Sequence, residues 1–435
     1  MSQSEPGGEY ADAPLPEHLT VPGWRIGLII ASFSVALPGF LNGAQTGLAL
    51  GLTGAVLAAL LAGIVLCAGG CITSIVSVRT RLNTYLLVQR SFGLRGAVLI
   101  NLIIAVIHFC WFGVNVSFFG DAMVAAAQGF GFSGDFATFV ILGSVLMTVT
   151  TIFGFKTLDR LALVAVPLLA GIFLAVCVMA VRKYGFTVER AAAPPVPMSF
   201  GIALSALIGG NMLAVATMPD LSRFASTERG AVGAMALSFP IAAPLLILVS
   251  AIPALAMGEF DIMKMIVEFG LGIAALFLVV LSSWTINALN LYSASLSLTA
   301  TFPGVKQWAF IVAGGTIGAI FALAGIINAF IPFLLFLGLI VPPIAAIYAI
   351  DAYTTFRGSN PAESIRRLPQ MRWHAVGTYL VSILIAVAGT YLGWTLTTVP
   401  TLDATIVAAI IYYAILKFRS RRAGHAPPAE ETAEA

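Results

Sequence analysis

Long apolar blocks, each of a length that crosses hydrocarbon, constrain this chain more than any other feature. A bilayer core of roughly 30 Å takes about 20 helical residues to cross. Twelve blocks on that scale follow one another at 24–50, 53–78, 96–127, 132–154, 161–181, 199–218, 231–257, 270–299, 307–327, 329–350, 373–395 and 402–417. The bilayer core offers no water to backbone N–H and C=O groups, so each block must satisfy them internally as a helix. Only 9% of the 435 residues are charged and 59% are hydrophobic, too few charges to cover a water-soluble fold of this length. The expectation is an all-α polytopic membrane protein. One transmembrane domain, 24–418, lies between a polar N-terminal tail, 1–23, and a C-terminal tail, 419–435.

The N-terminal tail is acidic (Glu5, Glu9, Asp12, Glu17), and the first block is too long for a signal-peptide core. It reads as a tail and not as a cleaved leader. Cys67, Cys71, Cys110 and Cys177 lie inside apolar blocks with no paired extramembrane spacing, so they read as core residues and not as a disulfide frame or metal site. Basic residues divide unevenly between the connections. With the N-terminus inside, only Arg182, Lys183, Arg190 and Lys264 fall outside, and the others, from Arg25 to Arg422, fall within. Positive charge resists translocation, which places both termini in the cytoplasm of a cell whose plasma or inner membrane holds the protein. The arginines are topology determinants on this reading, and no nucleic-acid partner is implied.

Two blocks carry signs of interruption at mid-membrane. Pro38, Gly39, Asn42 and Gly43 interrupt the first, and Gly209, Gly210 and Asn211 the sixth. Broken helices expose backbone groups to a substrate or ion, the usual device of secondary transporters. The two segments lie roughly 170 residues apart, an interval that five helices repeated by five more, then two extras, would produce.

Polar stripes mark two further blocks. Asn101, His108, Trp111 and Asn115 share a face of the third, by offsets of seven, three and four. Ser283, Asn287 and Asn290 share a face of the eighth, with Ser282 and Thr285 beside them. Such faces would be costly against lipid and should look into the bundle or a cavity. Asp121, Asp220, Glu259, Asp261, Glu268, Asp351 and Asp403 all fall near block ends or in connections. A pocket of amides and an aromatic plate without fixed charge suits a small, neutral, flat heteroaromatic ring. There is no HExxH motif and no aspartate pair at membrane depth, so enzymatic chemistry is not expected. The connections are too short for a signalling domain, which disfavours a receptor or scaffold, and no obligatory protein partner or cofactor is implied.

WFGVN (Trp111–Asn115), PDLSRF (Pro219–Phe224), WTIN (Trp284–Asn287) and RLNTYLLVQRSFG (Arg81–Gly93) resemble the nucleobase–cation symporters of the hydantoin, allantoin and cytosine permease group. The resemblance runs from about 24 to 420 and is nearest to bacterial cytosine and purine–cytosine permeases. It implies the leucine-transporter fold, two inverted five-helix repeats plus two helices, and import of a nucleobase with a cation. Hydantoin, allantoin or a vitamin-like ring are the alternative cargoes. It further implies that the ring stacks on Trp111 near Phe33, with contacts from Asn115, the backbone at Gly210, and Asn287; Asn290 lies a turn further along and is expected mainly to support. Asn211 stands where the family often has an aromatic. A sodium site would use carbonyls near Phe33 with Ser282 and Thr285, but Ile286 follows Thr285 where a second hydroxyl is usual. A proton carried by His108 is therefore expected to couple in preference to sodium, with sodium the alternative.

Overall fold

A computed structural model describes residues 13–34, 36–187, 189, 197–302, 304–366, 368–393 and 395–423. The helices in chain order are α1 (Gly23–Ser34), α2 (Leu37–Thr80), α3 (Thr84–Phe92), α4 (Leu94–Gly129), α5 (Phe136–Tyr184), α6 (Phe200–Ala216) and α7 (Pro219–Ser222). They continue as α8 (Glu228–Leu237), α9 (Ala243–Met257), α10 (Ile262–Glu268), α11 (Gly272–Thr301), α12 (Gln307–Leu323), α13 (Phe330–Ile340), α14 (Pro342–Tyr353), α15 (Pro361–Arg366), α16 (Trp373–Leu392) and α17 (Pro400–Ala423). Seven described helical stretches are long and apolar enough to cross a membrane, and three shorter apolar helices accompany them. The protein is an all-helical, polytopic membrane protein.

Two helices are long enough for two crossings. α2 has 44 residues, about 66 Å at 1.5 Å per residue, and takes up both the end of the first expected block and all of the second. Gly51 divides it with φ 74° and ψ 172°, a left-handed dihedral that costs glycine little and other residues much. α5 has 49 residues and spans the fourth and fifth expected blocks. Their junction falls among residues 153–166, whose side chains are outside the described set.

The first expected interruption is present and the second is displaced. α1 ends at Ser34 and α2 starts at Leu37, with Ala36 extended (φ −137°, ψ 155°) and Pro38 in the first turn, where its missing N–H leaves no bond unmade. The sixth block, by contrast, is unbroken at Gly209–Asn211 and stops at Thr217. Gly209 is there for close packing: a Cβ on it would overlap the carbonyl of Leu334 in α13. Small residues let membrane helices approach in this way.

The helices pack in two groups. α2 lies against α6 and α9, with α1 on α8; α4 lies against α11 and α12, with α5 beside them. A separate apolar cluster that includes Phe109, Phe112, Leu291 and Ile311 holds the second group together. α13 leans on α6, while α16 and α17 pack on each other and on α14. The described part of the N-terminal tail is tied down at the basic end of the molecule. Leu15 N–H donates to Arg81 O (2.9 Å) and Val21 N–H to Phe224 O (2.7 Å).

Candidate binding cavity

The two helix groups leave a cavity of about 310 Å³ between them. Pro38, Gly39 and Asn42 of α2 line one wall, just past the break, together with Gly210 and Asn211 of α6. His108, Trp111 and Asn115 of α4 form the opposite wall with Asn290 of α11, and Phe330 and Leu334 of α13 complete it. It continues through Leu66 and Thr217 to Asp220 at the basic end. Among the described residues, Asp220 is the only charged one that lines it.

The indole of Trp111 is braced by two edge-to-face contacts, with Phe333 at 5.2 Å and Phe330 at 6.4 Å between centroids, the arrangement aromatic quadrupoles favour. These phenylalanines gave no sequence signal, because FIPFLLF (Phe330–Phe336) is apolar throughout and has no polar stripe to betray its orientation. Asn42 had been visible only as part of the interrupted segment. It lies a turn beyond Pro38, with Nδ2 3.4 Å from Ala206 O.

The remaining expected residues separate cleanly. Trp111, Asn115, Gly210, Asn211, Asn290 and His108 all line the cavity, and His108 Nδ1 lies 3.1 Å from Asn290 Oδ1. Asn287 does not: it is fully buried between α11, α4 and α5, donating Nδ2 to Phe112 O (3.2 Å). One turn earlier, Trp284 Nε1 donates to Thr150 Oγ1 (2.9 Å), so the WTIN motif bridges helices. Asn101 is likewise buried and donates to Thr301 Oγ1 at 3.1 Å. The cavity face of α11 is Ile286, Leu289, Asn290 and Ser293. Ser282 continues that stripe one turn towards the start of the helix, where its Oγ is buried without a partner. Thr285 Oγ1 donates back to Ser282 O (3.0 Å). The side chain of Phe33 lies outside the described residues.

The two arginine-bearing motifs meet below the cavity. Asp220 Oδ1 accepts from Thr84 N–H (2.8 Å), capping the start of α3, and Arg81 Nη1 donates to the carbonyls of Arg223 (2.8 Å) and Ala225 (2.6 Å). Ser77 Oγ donates to Pro219 O (2.8 Å). Residues from 77 to 84 thus fasten the segment that ends α6.

A family model for permeases of cytosine/purines, uracil, thiamine and allantoin matches residues 31–412. The cytosine permease of Escherichia coli O157:H7 is 29% identical over 352 residues, 80% of each chain, and that of strain K12 is 28% identical over the same length. In fold, the chain resembles an inward-facing conformation of Mhp1 with a TM-score of 0.82 at 17% identity, over 97% of this chain and 95% of that one. It also resembles Mhp1, a nucleobase-cation-symport-1 family transporter, closed with bromovinylhydantoin bound, with a TM-score of 0.80 at 16% identity over 95% and 96%.

Proposed function

This chain belongs to the family of permeases for cytosine/purines, uracil, thiamine and allantoin, and on that premise we propose a secondary active, cation-coupled symporter that imports a nucleobase such as cytosine or a related purine or pyrimidine. The observation that carries this reading is the cavity itself. A braced indole and four asparagines, with Asp220 the only charged residue among the described lining, surround a space at the lower end of the range for small-molecule sites, about 300–1,000 Å³. Such a site stacks a neutral ring and matches its edge. Asn211, where a second aromatic would close a sandwich, supports a second cargo reading: the same mechanism with hydantoin, allantoin or a vitamin-like ring.

The architecture we propose is twelve crossings, as two inverted five-helix repeats followed by α16 and α17, with residues 24–418 as the transmembrane domain. The α1–α2 break, the stop after α6 and the two packing groups support it. The concentration of basic residues on one side supports cytoplasmic tails, 1–23 and 419–435. The cavity reaches Asp220 at that same end, as an inward-facing state requires.

Two groups are candidates for the coupling step. His108 beside Trp111 could carry a proton, and Ser282 and Thr285 could hold sodium with backbone carbonyls; the orphaned Ser282 hydroxyl supports the sodium arrangement. Equilibrium binding of labelled cytosine to the purified protein, with purines, uracil, allantoin and hydantoin as competitors, tests the cargo. Competition by at least one of these rings is expected; failure of every one to bind would remove the nucleobase reading.

A further inference from the structure

Positive charge outweighs negative where α16 begins and α17 ends. Asp351, fully buried, is shared by Arg372 Nη1 and Tyr412 OH, each at 2.9 Å. Arg90, buried as well, has no carboxylate of its own. It donates to Ser359 Oγ (3.0 Å) and lies over the Phe356 ring, which Arg372 also approaches (5.3 Å). A third guanidinium joins this group through two rings. His374 stacks on Tyr412 with centroids 5.8 Å apart and planes 6° from parallel, and its Nδ1 accepts from Arg419 Nη1 (2.8 Å). A guanidinium only donates, so the imidazole is the acceptor and is neutral. Three guanidinium groups are thus linked to one carboxylate. None of the four ion pairs among the described residues includes Arg90, Arg419 or Lys417.

The surroundings of Arg419 are those of a membrane surface. Arg419 and Lys417 are exposed in the last turns of α17. Trp373, the first residue of α16 and the neighbour of His374, is 73% exposed, and Phe418 is 57% exposed. Tryptophan at the end of a membrane helix is favoured at headgroup level. From Trp373, offsets of seven and four carry the same face of α16 to the exposed Leu380 and Leu384. From Lys417, offsets of four and three carry a face of α17 back to Tyr413 and Ile410, which are also exposed. Each helix presents an apolar stripe headed by an aromatic or cationic group, in the order of a phospholipid's chains and headgroup.

We propose that the ends of α16 and α17 hold an anionic phospholipid, its phosphate on Arg419 and Lys417 and its acyl chains along the apolar stripes. The planar fork of arginine matches phosphate oxygens, and basic side chains at a bilayer surface favour anionic headgroups. Charge decides between lipids. Phosphatidylcholine carries a cation beside its phosphate and restores the positive excess that an anionic headgroup removes. Arg419 meets the buried cluster through His374 and Tyr412, so the bound headgroup steadies the contact of α14 with α16 and α17.

Native mass spectrometry of the full chain tests this, with equal amounts of phosphatidylglycerol and phosphatidylcholine added to the detergent-solubilised protein. Wild type should retain phosphatidylglycerol several-fold over phosphatidylcholine. Arg419→Gln should lose most of that preference and Arg419→Lys keep part of it. Arg357→Gln, at an exposed arginine of the α14–α15 connection, should leave it unchanged. Phosphatidylglycerol should also raise the melting temperature of wild type more than that of Arg419→Gln, as a ligand of the folded state does. Full preference in Arg419→Gln, or equal retention of both lipids by wild type, would overturn the assignment. Displacement of bound phosphatidylglycerol by glycerol phosphate at equal concentration would overturn it too, since a free phosphate would then suffice. A lipid-free dimer that dissociates in Arg419→Gln would give the surface to a second copy instead.

Discussion

Trp111 sits where the two helix groups face each other, and its orientation is set by Phe330 and Phe333. Stacking of a flat ring on such a side chain is worth roughly 1–3 kcal/mol, by analogy with bases on aromatics in other proteins. Trp111→Ala should therefore weaken ring binding by about tenfold or more, with Trp111→Phe retaining part; unchanged affinity in folded Trp111→Ala protein would take this residue out of the site. The two asparagines of α11 exchange their expected positions relative to the cavity. The spacing of Asn287 and Asn290 puts both on one broad face, but a 3-residue offset leaves them about 60° apart at 3.6 residues per turn. That angle is enough to turn one into the cavity and the other into the α4–α11 seam. Asn290→Ala is expected to alter the order of preference among ring analogues. Asn287→Ala should instead lower thermal stability, by about 1–3 kcal/mol for an unmade buried bond. A selectivity change confined to Asn287→Ala would reverse the assignment. Single-sequence periodicity found the polar face of each helix but could not say which neighbour that face meets.

Helices, as elements, were the most legible part, because hydrocarbon permits little else. The apolar blocks map onto observed helices, and the Pro38 interruption becomes the α1–α2 break. Gly209–Asn211 stays helical against expectation for a physical reason: glycine permits both an irregular backbone and a close approach, and the sequence does not say which is used. Here α6 stays helical and α13 closes on it. Gly209→Ala should force the two helices apart at a cost of about 1–3 kcal/mol of overpacking, seen as a lower melting temperature. A substitution that left melting and transport untouched would restore the reading of a flexible, interrupted segment. Of the two hydroxyls on α11 singled out by sequence, Thr285 Oγ1 donates to Ser282 O, and only the Ser282 hydroxyl oxygen lacks a partner.

Across the whole molecule, no sequence pattern announces the polar cluster at the basic end. By sequence Asp351 falls at a block end, yet it is fully buried and accepts from Arg372 Nη1, Tyr412 OH and Thr355 Oγ1, each at 2.9 Å. Arg90, also buried, stands over the Phe356 ring at 4.2 Å, and Arg372 donates to its carbonyl (2.9 Å). These contacts fasten α3, α14, α16 and α17 across more than 250 residues of chain, a separation no local pattern encodes. Removing one partner of a buried ion pair costs about 3–5 kcal/mol, so Asp351→Ala should lower the melting temperature sharply, and Arg372→Ala with it. Independence of the two losses in the double variant would show that the pair is not coupled. Coupled transport is the central proposal, and concentrative uptake tests it most directly. Proteoliposomes would be given a labelled nucleobase with an inward proton gradient and no sodium, then with a sodium gradient at equal pH, for wild type and His108→Gln. Accumulation above the external concentration under at least one gradient is expected, and its loss in His108→Gln under the proton gradient would assign the carrier. Uptake that only equilibrates under both gradients, or no uptake of any family ring, would contradict a cation-coupled nucleobase symporter.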